Sequence, residues 1–457
     1  MNYKSVLTIA AAGAVLSLYA SVPAPQVSAV SMVQNANGEA IINYSLSAAN
    51  AVIALDIQTN ATGSAWVSIG GEAVSSAWGD VWKVVKTGSH RIKWNGVSCW
   101  ADNKIPASGI RAVVTAWALD NTPDYMVVDV SSSAQPNTQR YYPAADFLPG
   151  GLLANDDYRT TKLVMRKIMA KGVEWTMGST TLETQRNGSR EATHLVTLTN
   201  NYYIGVFEVT QAQWALIQTS NASPSQFTNP EFCAMRPVEH VCYNEIRISE
   251  NVSSVSTDSD MFRNYSWPKD ANPASFLGNL RRKTGIEDFD LPGEAQWEFA
   301  ARAGNGVMKW GDGAGIQNSD KDENLDKLGR YQRNGGLVWN GSSYVKPEYS
   351  CGVENGTAIV GSYAPNNWGL YDMHGNVWEW CLDWHLADIS GFDGKVNINL
   401  SDPANPISGT SDGYRIIRGG DWSSTADQSR PACRSRNSPN TRGDHIGFRV
   451  VCTAGLQ

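Results

Sequence analysis

The stretch Asn366–Trp384 reads NNWGLYDMHGNVWEWCLDW and holds four tryptophans around a short polar insert between Tyr371 and Trp378. Rings at that density are not left in water, so the stretch marks the centre of a fold. Asp372, Asn376 and Glu379 lie beside Gly375, which places hard oxygen ligands next to a residue free to adopt unusual backbone dihedrals. Those residues read either as a tight turn buried beneath the tryptophans or as a calcium site.

Length and composition bound the rest. A chain of 457 residues is too long for one ordinary domain and predicts two or three. The net charge of −7 supplies no global field for nucleic acid, and no lysine/arginine run supplies a local one. Nucleic acid is therefore not an expected partner. The 17 tryptophans and 41 glycines against 18% charged residues fit a loop-rich extracellular protein.

Residues 1–29 read as an export signal: Lys4 is the positive start, Val6–Tyr19 the apolar run, and Val27, Ser28 and Ala29 the small-residue cleavage site, with cleavage before Val30. The apolar run is shorter than the roughly 20 residues that span a bilayer, and no comparable run follows. The expected location is secreted or periplasmic, with no membrane span in the mature chain. Seven cysteines, Cys99, Cys233, Cys242, Cys351, Cys381, Cys433 and Cys452, are an odd number, so at least one is free or intermolecular. No C-x-x-C, H-E-x-x-H or H-x-H occurs, which argues against zinc.

From Val30 to Val130 the apolar pattern has period two between turn residues, as in AIINYSLS, AVIALDIQT and YMVVDV. It predicts an antiparallel, immunoglobulin-like sandwich over 30–130, with a binding or spacer role. The module resembles the small all-β modules of many exported bacterial proteins, carried here by Gly88, His90, Trp94, Asn95 and Gly96. Residues 131–157, with three prolines and little periodicity, predict a loosely packed linker. The second domain then occupies 158–457.

That domain carries short motifs in a fixed order. They are EWTMGST at 174–180, HLVTLTNNYYIGVFEVTQAQWALI at 194–217, RPVEHVCYNEI at 236–246 and FDLPGEAQWEFAARAG at 289–304. The tryptophan stretch, RIIRGGDW at 415–422 and CRSRNSPNTRGDHIGFRVV at 433–451 follow. By themselves these residues predict an amphipathic helix from Pro292 to Gly304, a second helix over 211–217, and otherwise short strands and long loops. Together the motifs resemble the sulfatase-modifying factor family, which includes the formylglycine-generating enzyme. The resemblance implies an α+β, C-type-lectin-like domain with little regular secondary structure.

The resemblance also implies chemistry. A family ion site falls here on the side chains of Asp372 and Glu379 and the carbonyls of Gly375 and Val377, making structural calcium the expected cofactor. A second family ion site lies upstream, near Asp320, Asp322, Asn324 and Asp326. That run imitates an EF-hand start, but Leu325 and Tyr331 stand where such a loop needs glycine and glutamate, so a solvated acidic loop is predicted.

The family enzyme oxidises a sulfatase cysteine with oxygen and copper(I) held by two cysteines. Their positions here are Ser424 and Ser429. A hydroxyl does not replace a soft thiolate, so copper is not expected. Cys433 lies four strand residues, roughly 13 Å, beyond Ser429 and does not reach that place. Neither a G-x-S-x-G elbow nor a phosphate loop is present; GDGAG at 311–315 lacks the lysine. Glu294 and Glu298, four apart on the predicted helix, read as structural. The sequence thus predicts a non-catalytic binding protein in which Trp422, Arg434, Arg436, Asn437 and Arg449 line a groove for a peptide, glycan or cell-surface protein. The alternative is a formylglycine-generating-type oxidase acting on a sulfatase cysteine.

Overall fold

A computed structural model describes residues 23–455 apart from 36–37, 61–64, 97–107, 184, 249–270, 318–319, 387 and 391–412. The apolar run of the export signal and Cys99 lie outside the described residues. Among those residues the chain is mostly β, with short helices.

The N-terminal part forms two antiparallel sheets. One has the order Gln26–Gln34, Ala40–Ser47, Gly88–Trp94, Trp78–Gly79, and the other is built on Ala51–Thr59, paired with Val67–Ser68, Val84–Val85 and Ile110–Trp117. The period-two pattern explains the packing: Ala40, Ile42, Tyr44 and Leu46 are buried and meet Ile53, Leu55 and Ile57 of the second sheet in one apolar cluster. The first strand starts at Gln26, and Gln26 to Ser28 pair with Ser47 to Ser45. Cleavage before Val30 would cut this strand.

The two parts are not joined by a loose linker. Tyr125–Asp129, which the sequence assigns to the first module, pairs along its length with Lys162–Ile168 of the second. The resulting sheet has the order Arg140–Tyr142, Tyr125–Asp129, Lys162–Ile168, Tyr202–Gly205, Val451–Thr453. Within 131–157, Tyr141, Tyr142 and Leu148 are buried, and Tyr142 stacks on Trp82 at 5.3 Å. Isolated aromatic anchors, which leave no periodic trace, make this segment part of the core.

In the second part the expected helix is Glu294–Arg302. It is buried on every side, so it is not amphipathic: Glu294, Glu298 and Arg302 are inside because each has a charged partner. Gln211–Ile217 is the second expected helix, and Thr210 and Gln213 close its start in a capping box. A further sheet runs Arg434–Asn437, Arg415–Arg418, Trp378–Trp384, Ile446–Gly447 and carries the tryptophan stretch into the centre. There Trp378 and Trp380 join Trp214, Phe276 and Phe448 in one apolar cluster.

The acidic run at 320–326 is not solvated throughout. Asp322 is fully buried: one oxygen accepts from Trp310 Nε1 and Gln317 N, the other from Asn324 N and Leu325 N. Four donors satisfy that carboxylate without an ion.

Candidate functional site

The polar insert of the tryptophan stretch is a turn held from all sides. Asp372 (φ 57°), Gly375 (φ 99°) and Asn376 (φ 65°) all adopt left-handed backbone. A Cβ on Gly375 would lie 2.1 Å from the Arg330 carbonyl oxygen, so only glycine fits. Asn376 is fixed through every polar group. Its N–H donates to Arg330 O (2.7 Å), its carbonyl accepts from Trp422 N (2.9 Å), its Oδ1 accepts from Ala358 N (2.8 Å), and its Nδ2 donates to Glu208 Oε2 (2.6 Å). Such over-determination is what keeps two non-glycine residues at positive φ.

Beneath the turn lies a charged cluster. Arg449 grips Glu379 with two bonds of 2.7 Å, Nε to Oε2 and Nη2 to Oε1, and Trp297 Nε1 adds a third donor at 2.9 Å. Arg449 also donates to the carbonyls of Gly205 and Tyr371, each at 3.0 Å. Glu208 accepts from Val377 N at 3.2 Å, which ties the strand Tyr202–Gly205 and its continuation to the turn. Asp372 Oδ2 accepts from Gly361 N (2.7 Å), whereas its Oδ1 is buried without a hydrogen-bond partner.

Three carboxylates, Glu208, Asp372 and Glu379, therefore crowd around Arg449, and Arg330 also acts on Asp372. Burial, then the neighbouring Asp372 and Glu379, raise Glu208 well above the usual carboxylate range. Burial pushes Asp372 up to about 6, while Arg449 opposes the shift and Glu379 adds to it. Glu208 escaped the sequence reading. Its signal was a lone acid between Phe207 and Val209 in an apolar run, where a charge needs a buried partner. Among the described residues no three His, Cys, Asp or Glu side chains converge as a metal-binding group. An ion here would draw on Asp372, Glu379 and the carbonyls of Gly375 and Val377.

His374, in the same turn, is neutral. Burial pushes its imidazole down to about 4; Nε2 accepts from Gly311 N and Nδ1 donates to Ser429 O, which fixes one tautomer. Ser429 is fully buried, and Ser424, also buried, accepts from Asp421 N at 3.2 Å through Oγ. The six described cysteines are free thiols. Cys381 sits in the apolar cluster around Trp297, Cys433 packs on the cluster around Trp380, and Cys351 donates to Asn355 O. Cys433 is half-buried, yet desolvation pushes its thiol up to about 12.

The five residues expected to line one groove are not brought to one surface. Arg449, Arg434 and Trp422 are buried with partners of their own: Arg434 holds Glu294 by two bonds (2.6 and 2.9 Å), and Trp422 donates to Asp444 O at 3.0 Å. Arg436 and Asn437 are half-buried on the strand Arg434–Asn437, with Arg436 against His385 (3.2 Å) and over Tyr414 (4.9 Å). Glu294 and Glu298 are likewise structural, held by Arg434, Arg418 and Arg302.

The chain is similar to several known proteins. The formylglycine-generating enzyme of Thermomonospora curvata is 36% identical over 166 residues, covering 35% of this chain and 48% of that protein. That of Streptomyces coelicolor is 35% identical over 174 residues, covering 36% and 47%. The chain thus spans about half the length of these two relatives. The chaperone protein LppX of Paenibacillus barcinonensis is 29% identical over 273 residues, covering 55% of this chain and 80% of that one. Among solved structures, Treponema denticola variable protein 1 is similar at 27% identity and a TM-score of 0.42, covering 64% of this chain and 96% of that one. The model of the sulfatase-modifying factor enzyme 1-like domain matches residues 155–454, and the chain belongs to that family.

Proposed function

We propose that the chain is an exported, non-catalytic binding protein of the family, recognising a peptide, glycan or cell-surface protein. One observation carries this reading: the two positions at which the family enzyme holds copper are the buried hydroxyls of Ser424 and Ser429, and 421–432 contains no cysteine. Copper(I) needs thiolates, and without them oxygen activation has no centre. The similarity to a protein named as a chaperone supports a binding role. Among the described residues no helix is long and apolar enough to cross a membrane, which is compatible with a secreted or periplasmic protein. The N-terminal pair of antiparallel sheets is read as an immunoglobulin-like sandwich serving as a spacer or a second binding module.

Calcium belongs to the same proposal as a structural ion. The orphaned Asp372 Oδ1 and the excess of carboxylate over guanidinium fit a hard cation. Asp372 would bind it by side chain and Gly375 and Val377 by carbonyl. Glu379, whose carboxylate already takes three donors, would add its remaining lone pair. An ion bound only to the folded state stabilises by mass action. Chelation is therefore expected to lower the melting temperature and calcium to restore it, with no such response in Asp372→Ala; identical curves with and without chelator would remove the ion from the account.

Catalysis is tested directly. The full chain, incubated with copper(I), oxygen and a sulfatase-derived cysteine peptide, is expected to leave the peptide mass unchanged. Turnover to the aldehyde, lost in Cys433→Ser, would establish the oxidase reading in its place.

A further inference from the structure

Among the described residues one lysine is buried, Lys167, with its side chain 3% exposed. It lies on the strand Lys162–Ile168, and its amine reaches the turn at 118–124 that separates Ile110–Trp117 from Tyr125–Asp129. Arg449, Arg434 and Arg430 each hold a carboxylate at hydrogen-bond distance. Lys167 does not. Its nearest partners are neutral oxygens, Asn121 Oδ1 at 3.1 Å and the Thr122 carbonyl, while Asp124 Oδ1 stands back at 3.6 Å. Burial lowers the pKa of this lysine, opposed by Asp124 and aided by Arg166, so more of it is neutral amine than in an exposed lysine. A desolvated, neutral lysine amine is a nucleophile.

Asn121 offers the matching electrophile. Its carboxamide carbon is bonded to the oxygen that lies 3.1 Å from Nζ, so amine and carbonyl are already side by side. The turn that presents it is pinned. Asn121 N donates to Ala118 O (3.0 Å), Thr122 Oγ1 donates to Tyr203 Oη (2.8 Å), and Tyr203 in turn donates to Pro123 O. From the other side Lys167 N donates to Asp124 O at 2.7 Å, which fixes the strand against the turn. Asn121 itself is exposed, so a leaving group has a path to water. Asp124, held by Arg166 Nη1 at 3.1 Å, is a carboxylate beside the amine and open to solvent, placed to carry a proton.

We propose that Lys167 and Asn121 join in an isopeptide bond that staples the N-terminal part of the chain to the family domain. Nζ attacks Asn121 Cγ; the Nζ–Cγ bond forms, the Cγ–Nδ2 bond breaks, and Nδ2 leaves as ammonia. Asp124 takes the proton that Nζ sheds and returns it, through the water that the carboxamide faces, to Nδ2. One amide replaces another, so no electrons change hands and no oxidant is consumed. The bond is independent of what the chain binds.

The test is peptide mapping of the full chain, denatured and digested with trypsin. Cuts fall at Arg111 and Arg140 around Asn121, and at Arg166, Lys167 and Lys171 around the lysine. Peptide 112–140 is expected to appear joined to 167–171 at the summed mass less one ammonia, uncut after Lys167 because an acylated lysine has lost the charge that trypsin reads. Asn121→Asp is expected to give a joined pair of the same mass, with water leaving in place of ammonia. Asn121→Ala, a change at an exposed position, and Asp124→Ala are expected to yield the two peptides singly, with a cooperative melt showing that each variant has folded. Recovery of the peptides singly from the parent, with a cut after Lys167, overturns the proposal. A joined pair that persists in Asn121→Ala overturns it as well, and one as abundant in Asp124→Ala as in the parent overturns the proton transfer assigned to that carboxylate.

Discussion

Replacing Arg449 by methionine keeps the apolar stem and removes the guanidinium from a fully buried ion pair. Glu379 then retains a single side-chain donor, Trp297 Nε1, next to Glu208 and Asp372, and the carbonyls of Gly205 and Tyr371 each lose a donor. Breaking a buried pair from one side costs about 3–5 kcal/mol, mostly because the other charge stays behind. With an unfolding entropy near 2.1 cal/mol/K per residue, and the whole chain as the unfolding unit because its two parts share a sheet, that corresponds to a melting temperature lower by about 3–5 °C. The measurement is differential scanning calorimetry in calcium-free buffer with chelator, so that ion binding does not confuse the comparison. Adding Glu379→Gln to Arg449→Met removes the stranded charge and is expected to return roughly half of the loss. A single variant melting within about 1 °C of the parent would refute the ion pair as a structural tie, since so small a shift lies far below the entropy-scaled estimate. A double variant no more stable than the single one would refute stranded charge as the cause.

Two further outcomes follow from the same geometry. Glu239 accepts from Gln226 N and Phe227 N through Oε1, while Oε2 has no partner; burial pushes its carboxyl up to about 8, with Asp444 adding to the shift and Arg236 opposing it. The unfolded chain releases this proton near the ordinary 4.5 and the folded chain keeps it to about 8, so the stability it contributes is full below 4.5 and is lost as pH rises to about 8. Glu239→Gln, fixed in the neutral form, is therefore expected to match the parent in a thermal melt at pH 4.5 and exceed it at pH 8.5; equal melts at both would refute the burial argument. A chain starting at Tyr158 lacks Tyr125–Asp129 and Arg140–Tyr142, leaves Lys162–Ile168 as an open edge and uncovers Val164 and Val206, so it is expected to aggregate where the full chain is monodisperse by size-exclusion chromatography. A soluble, cooperatively melting fragment would restore the boundary read from the sequence.

What the sequence showed and what it hid divide along chain separation. The turn at 372–379 was legible because its requirements are local: glycine at a crowded left-handed position, and rings on both sides. The helix Glu294–Arg302 was legible for the same reason, from Pro292 ahead of it and Gly304 behind it. Its complete burial was not, because Arg418 and Arg434, which make Glu298 and Glu294 tolerable inside, come from strands more than a hundred residues away. Tyr125–Asp129 was legible as a strand but not as a member of the second sheet, since period-two alternation specifies a face and says nothing about which neighbour supplies the hydrogen bonds. The arginines read as a binding groove were misleading for a related reason. Arginine in a loop-rich sequence suits a ligand anion and a buried carboxylate equally well, and only the fold brings Glu379 to Arg449 and Glu294 to Arg434.

Those pairs have a common logic. With few long ladders to hold it, the domain is fastened by fully or nearly buried arginines, each bridging segments far apart in the chain: Arg449 to Glu379, Arg434 to Glu294, Arg418 to Glu298, Arg430 to Glu183 and Glu191, Arg247 to Asp290. Each supplies a planar fork of donors that a lysine lacks, and Arg449, Arg434, Arg418 and Arg430 also reach backbone carbonyls left over by irregular chain. Charges used in this way are unavailable to a ligand. Substituting any one of these arginines is therefore expected to lower the melting temperature by stranding its buried carboxylate, whatever the chain binds.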